Sequence, residues 1–101
     1  MAILMITEWC PFDKQEEAQK ILLNFPKLPP YIKKWQFLAA ADGNSGVKMY
    51  NIVYIEEGNF DKAHVFIHKA LSLFAKIQGY TYTIEPVISS GDMQKILSLK
   101  L

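Results

Sequence analysis

Residues 32–55 read IKKWQFLAAADGNSGVKMYNIVYI, two strand-forming runs joined by a turn sequence. The runs, Ile32 to Ala40 and Val47 to Ile55, are rich in aromatic and β-branched residues that suit a pleated surface. The hinge between them, Asp42-Gly43-Asn44-Ser45-Gly46, holds two glycines and an Asp-Gly pair, which predicts an antiparallel hairpin. Lys33-Lys34 near the start of the first run mark it as an edge strand, where charge deters stray pairing.

The flanks of this hairpin match each other. On the N-terminal side a strand-like run (Ile3 to Trp9) leads into an amphipathic helix (Asp13 to Phe25). Ile3 and Met5 fall on one pleat face of that first strand and Leu4 and Ile6 on the other, as a central strand requires. Asp13 with Glu16 three residues on reads as a variant capping box, and Glu17 adds favourable charge to the first turn. Ala18, Ile21, Leu22 and Phe25 share one helix face. Pro26 and Pro29-Pro30 then carry the chain onward in an extended connection. On the C-terminal side, Gly58-Asn59 opens a helix (Phe60 to Ile77) that Gly79 closes. Its apolar stripe is widened by Phe66 and Leu73 beyond what one sheet face needs. A last strand (Tyr80 to Ile88) contains Pro86, which cannot donate to a ladder and so belongs at an edge. A short tail helix carrying Met93, Ile96, Leu97 and Leu101 ends the sequence.

The element order is therefore βαββαβ, the ferredoxin-like split βαβ plan of the α+β class. Its antiparallel sheet order, 4-1-3-2, makes strands one and three central, and these are the most apolar runs. The whole chain, 1–101, reads as a single domain. Apolar residues make up 50% of it, the top of the usual range of about 45–50%. In so small a domain that surplus implies leftover apolar surface, most simply covered by self-association.

Charge narrows the partners. Eleven Lys+Arg against ten Asp+Glu give a net charge of +1, too little field to gather phosphates, so nucleic acid is not an expected partner. One cysteine cannot form an internal disulfide, which suits a reducing cytoplasm. Met1 to Ile6 is apolar but lacks a basic leader and is interrupted by Glu8, so neither a signal core nor a membrane span is expected.

With these features the chain resembles the dimeric α+β barrel superfamily, in which helices cover one sheet face and the other faces of two subunits close into a barrel. That group includes cofactor-free monooxygenases, muconolactone isomerase and stress-response barrel domains. The resemblance implies a homodimer. It is architectural and carries no family's catalytic residues onto this sequence.

Three groups of residues could carry chemistry. Thr7-Glu8-Trp9-Cys10-Pro11 lies at the carboxyl end of the first strand. A desolvated Glu8 there would act as a general base, since burial raises a carboxyl pKa. On that reading Glu8→Gln stabilises the fold at neutral pH, unless Glu8 pairs with Lys34 or Lys48. Cys10 lacks a cationic neighbour to make it a thiolate. The aromatics form the second group: Trp35 and Phe37 share one face of the second strand, and Tyr50 and Tyr54 share one of the third. With Trp9, residues Trp35, Tyr50 and Tyr54 are the candidate ligand contacts. Lys48 to Tyr54 faintly resembles an RNA-recognition strand but lacks its glycines and basic surplus, so core or interface use is favoured. Third, Asp61, His64 and His68 project to one side of the second helix, as helical metal ligands do. No supporting ligand accompanies them, so no metal or other cofactor is expected.

Two functions follow as expectations. The first is a homodimeric barrel that binds a small apolar or aromatic ligand beside the sheet, with cofactor-free proton transfer by Glu8 and a tyrosine hydroxyl. The second is a structural or protein-interaction module whose aromatics serve assembly.

Overall fold

The computed structural model describes residues 1–98. Its strands are β1 (Ala2–Pro11), β2 (Ile32–Asp42), β3 (Gly46–Ile55) and β4 (Thr81–Val87); its helices are α1 (Gln15–Leu23), α2 (Phe60–Leu71) and α3 (Ser90–Ser98). The four strands form one antiparallel sheet in the order β2-β3-β1-β4. This is the 4-1-3-2 order read from the other edge, so the ferredoxin-like expectation holds. Leu101, assigned by pattern to the tail helix, lies outside the described residues.

The hairpin turns at Gly43-Asn44-Ser45 between the paired residues Asp42 and Gly46. Gly43 takes φ +63°, the left-handed conformation that glycine adopts without steric cost. The edge strand β2 carries a register shift between Ile32 and Lys34. Beside it Lys33 pairs with Glu56 at 2.9 Å, and both features blunt a free edge. Pro86 lies in the other edge strand, β4, opposite Leu4.

Along β1 every second residue is buried: Leu4, Ile6, Glu8 and Cys10 face the helices, while Ile3, Met5, Thr7 and Trp9 face away and stay half-buried. The core joins Leu4 and Ile6 to Val53 and Ile55 of β3 and to Ala63, Ile67 and Leu71 of α2. The molecule measures 51 × 31 × 17 Å, which is two layers thick, so the second sheet face has no helical cover.

Two local expectations are corrected. The capping box at Asp13 does not form: Phe12–Lys14 is a short 3-10 turn, and α1 starts after Lys14 with no side-chain cap. The 3-10 turn places Asp13 before the true N-cap and leaves Glu16 too early in the helix to reciprocate. The second helix stops at Leu71, continuing as a 3-10 turn over Ser72–Phe74 rather than as α-helix to Ile77. Ser72 Oγ donates to the carbonyl of Lys69 at 2.6 Å, a local bond that competes with the helical ladder. The apolar stripe continues regardless, with Phe74 and Ile77 both buried.

Helix α3 buries none of its residues; Met93, Ile96 and Leu97 all remain exposed. It is therefore not what covers the widened flank of α2.

Hydrogen exchange should rank the strands. Amides of Leu4 to Ile6 and of Val53 are expected to open only near global unfolding, and those of Ile84 and Glu85 much sooner. Equal protection in β4 and β1 would contradict the edge position of β4.

Candidate functional site

The alternation that buries Leu4 and Ile6 also forces Glu8 to the helix side, where it is only 7% exposed. A carboxylate there must be hydrogen-bonded or it costs several kcal/mol, on the order of the penalty for a buried unpaired ion. Two donors meet it. Asn51, on the same face of the adjacent strand β3, donates from Nδ2 to Glu8 Oε2 at 2.7 Å. The Tyr80 hydroxyl, just before β4, donates to Glu8 Oε1. The Asn51 carbonyl is satisfied in turn by the indole N–H of Trp35 at 2.8 Å. Among the described residues no buried side-chain nitrogen or oxygen lacks a partner.

An aromatic arc joins the two ends of this chain of bonds. Trp35 meets Phe25 edge-on with ring centres 6.1 Å apart, Phe25 meets Phe74 at 6.2 Å, and Phe74 stacks on Tyr80 at 5.4 Å. Glu8, Asn51, Trp35, Phe25, Phe74 and Tyr80 thus make a closed circuit, half hydrogen-bonded and half apolar. Burial, then the neighbouring Glu8 charge and its hydrogen bond, push the Tyr80 phenol well above its ordinary pKa. The hydroxyl stays protonated and aimed at the carboxylate.

Cys10 lies at the end of the same face, 1% exposed. Burial first, then the charges of Glu8, Glu17 and Asp13, raise its thiol pKa, so it remains an unreactive thiol.

The sequence-predicted ligand residues separate. Trp35 joins the Glu8 circuit. Trp9, Tyr50 and Tyr54 lie on the opposite sheet face, as the pairings Thr7 with Tyr50 and Ile3 with Tyr54 require. There the Trp9 ring crosses Gly46 so closely that a Cβ on Gly46 would sit 2.5 Å from it. Lys48 and Lys34 lie over the rings of Tyr50 and Tyr54, each 5.5 Å from the ring centre. These lysines face away from Glu8, and the lysine pairing considered for it does not form.

Asn51 and Tyr80 were not singled out by sequence. Asn51 could have been found, since an amide inside an apolar central strand needs a buried partner of matching parity. Tyr80 could not, because its contact with Glu8 spans 72 positions of sequence. On α2, His64 and His68 touch each other, with His68 also reaching Tyr82. No group of three or more His, Cys, Asp or Glu that could hold a metal occurs among the described residues, so Asp61 does not complete a set with them.

No protein-family model matches the chain, and no curated protein matches it. Similarity to solved structures concerns the fold. The de novo designed protein Foldit4 superposes with a TM-score of 0.54 at 6% identity, over 87% of this chain and 97% of its own. A dimeric ferredoxin-like protein of unknown function from Thermobifida fusca superposes with a TM-score of 0.50 at 19% identity, over 86% of this chain and 92% of its own.

Removing either donor should expose the cost of the buried carboxylate. Tyr80→Phe and Asn51→Ala are each expected to lower unfolding free energy by about 1–3 kcal/mol in denaturant titrations at neutral pH. Glu8→Gln should also destabilise, because an amide offers one acceptor where two donors converge. That reverses the stabilisation expected from desolvation alone.

A pH dependence follows from Tyr80. Its folded pKa is raised, so above about pH 10 the unfolded chain loses a proton that the folded chain keeps. Wild-type stability should then fall with rising pH by about one proton more steeply than that of Tyr80→Phe. Parallel slopes for the two proteins would contradict the raised pKa.

Proposed function

We propose that this chain works as a homodimer, closing through its uncovered sheet face into an α+β barrel. The observation that carries this is the composition of that face. Ile3, Met5, Trp9, Leu38, Ile52, Tyr54 and Val87 share it by register, and no element among the described residues covers them. The apolar patch centres on β1 and β3, is interrupted there by Thr7 and Lys48, and is flanked on the edge strands by Lys34, Gln36, Thr81, Thr83 and Glu85. An uncovered apolar patch with a polar rim marks an interface. A second copy is the natural occupant, because a two-fold partner presents the same face. The dimeric description of the ferredoxin-like protein from Thermobifida fusca supports the same reading.

On the helix side, the proposed activity is binding of a small, largely apolar or aromatic molecule against the arc of Trp35, Phe25, Phe74 and Tyr80. The chemistry suited to the residues is proton transfer at a carbon acid. Glu8 would take the proton from carbon, and Tyr80 would stabilise the developing enolate oxygen with its hydroxyl. Glu8 would then return the proton, so that the reaction is an isomerisation or exchange without a redox partner. Binding requires the Tyr80 hydroxyl to turn from the carboxylate toward the ligand.

A second reading is favoured by the closure of the circuit. Both Glu8 oxygens already accept protein hydrogen bonds. Two open surface grooves, one along Tyr31, Val65 and Phe66 and one along Ile21, Asn24 and Leu73, are lined by residues outside the circuit. In that case the chain is an assembly module, and the circuit fixes the register of β1 on β3.

Native mass spectrometry separates these readings. The dimer mass at micromolar concentration is expected, together with a retained small molecule that is lost in Glu8→Gln. A dimer that never carries a ligand supports the assembly module. Ile52→Asp, which places a charge in the proposed interface, should give monomers by sedimentation. A wild-type monomer at tens of micromolar would overturn the barrel.

A further inference from the structure

His64 and His68 are four residues apart on α2, and their Nε2 atoms approach to 3.2 Å. Both rings are held in place. His64 leans on Phe60, His68 leans on His64 and then on Tyr82, with ring centres 5.8, 4.7 and 5.9 Å apart. The other nitrogen of His68, Nδ1, lies 3.2 Å from the Tyr82 hydroxyl. We propose that His64 and His68 form a two-histidine site for a borderline divalent metal ion such as Zn²⁺, with Tyr82 as the orienting partner of His68.

The geometry fits the ion. Zinc–imidazole bonds are about 2.0–2.1 Å, so two nitrogens 3.2 Å apart share one ion at an angle of about 100°, close to tetrahedral. Neutral imidazole must turn a lone pair to the metal and its N–H elsewhere. Tyr82 supplies that place for His68, because its hydroxyl accepts the Nδ1–H and leaves Nε2 free. Spacing of four on a helix puts both rings on one side without distortion. No third His, Cys, Asp or Glu completes the set among the described residues, so water fills the remaining positions. With two protein ligands, such a site exchanges its ion readily, and the proposal departs from the expectation that these histidines hold no metal.

Position gives the site its interest. Tyr82 neighbours Tyr80 with ring centres 6.1 Å apart, and it pairs with Glu8 across β1 and β4. The site stands on the solvent side of the Glu8 circuit and does not depend on any activity of that circuit.

The test is a Zn²⁺ titration of the folded protein, followed by calorimetry and by the histidine ring signals in NMR spectra. The chain contains two histidines, so these signals report the site without ambiguity. One Zn²⁺ per chain is expected, shifting both rings together. His64→Ala and His68→Ala should each weaken binding by about tenfold or more, and Tyr82→Phe by a smaller factor. Circular dichroism checks that each variant keeps its helices, which the solvent-facing position of His68 favours. The proposal is overturned if Zn²⁺ leaves both ring signals unmoved, or if either histidine substitution leaves the Zn²⁺ affinity unchanged.

Discussion

The structure depends on one imbalance: a central strand, β1, that is apolar on both pleat faces in a sheet with helices on one side only. Ten-residue β1 is apolar on both sides of its pleat, and α1 and α2 take Leu4, Ile6 and Cys10. Ile3, Met5 and Trp9 then have no cover within the described chain. Apolar burial contributes about 25 cal/mol per Å², so an uncovered sheet face is a standing driving force for association. The fold resolves half of the burial problem set by its sequence, and the proposed dimer would resolve the other half.

Within the covered half, the apolar core is interrupted at one place. Glu8 sits where a leucine would pack, and the surrounding residues answer it with two donors rather than a cation. This choice has consequences further along the chain. Glu8 takes the Tyr80 hydroxyl proton as a hydrogen bond, spends the Asn51 amide, orients the Trp35 indole, and adds its charge to the burial that raises the Tyr80 and Cys10 pKa values. A circuit of this kind is stable only when complete, because each partner removed leaves a buried polar group without compensation. Completeness is also what divides its two interpretations. The same bonds that hold a general base in readiness hold a strand in register.

Similarity to a designed protein at 6% identity shows how little of the sequence the fold requires. What the two chains must share is pattern: period-two strands, amphipathic helices and turns in the right order. Pattern was legible here in the hairpin, in Pro86 at an edge and in the central place of the first and third strands. It failed where short-range competition decided the outcome. The 3-10 turn over Phe12–Lys14 displaced the capping box, and the Ser72 hydroxyl ended α2 before its apolar stripe ran out.

The sequence by itself determined the order and type of the elements, the strand arrangement and the presence of surplus apolar surface. These follow from local periodicity and from proline and glycine, whose effects act over a few residues. It also marked Glu8 as an anomaly in an apolar run. Only the tertiary structure decided what Glu8 meets, because Asn51 and Tyr80 reach it from 43 and 72 positions away. It likewise divided the aromatics between the two sheet faces, drawing Trp35 into the circuit and leaving Trp9, Tyr50 and Tyr54 on the other side. Parity along one strand is readable in the sequence, but which parity of one strand faces which of the next is set by register, and register exists only once the strands have paired.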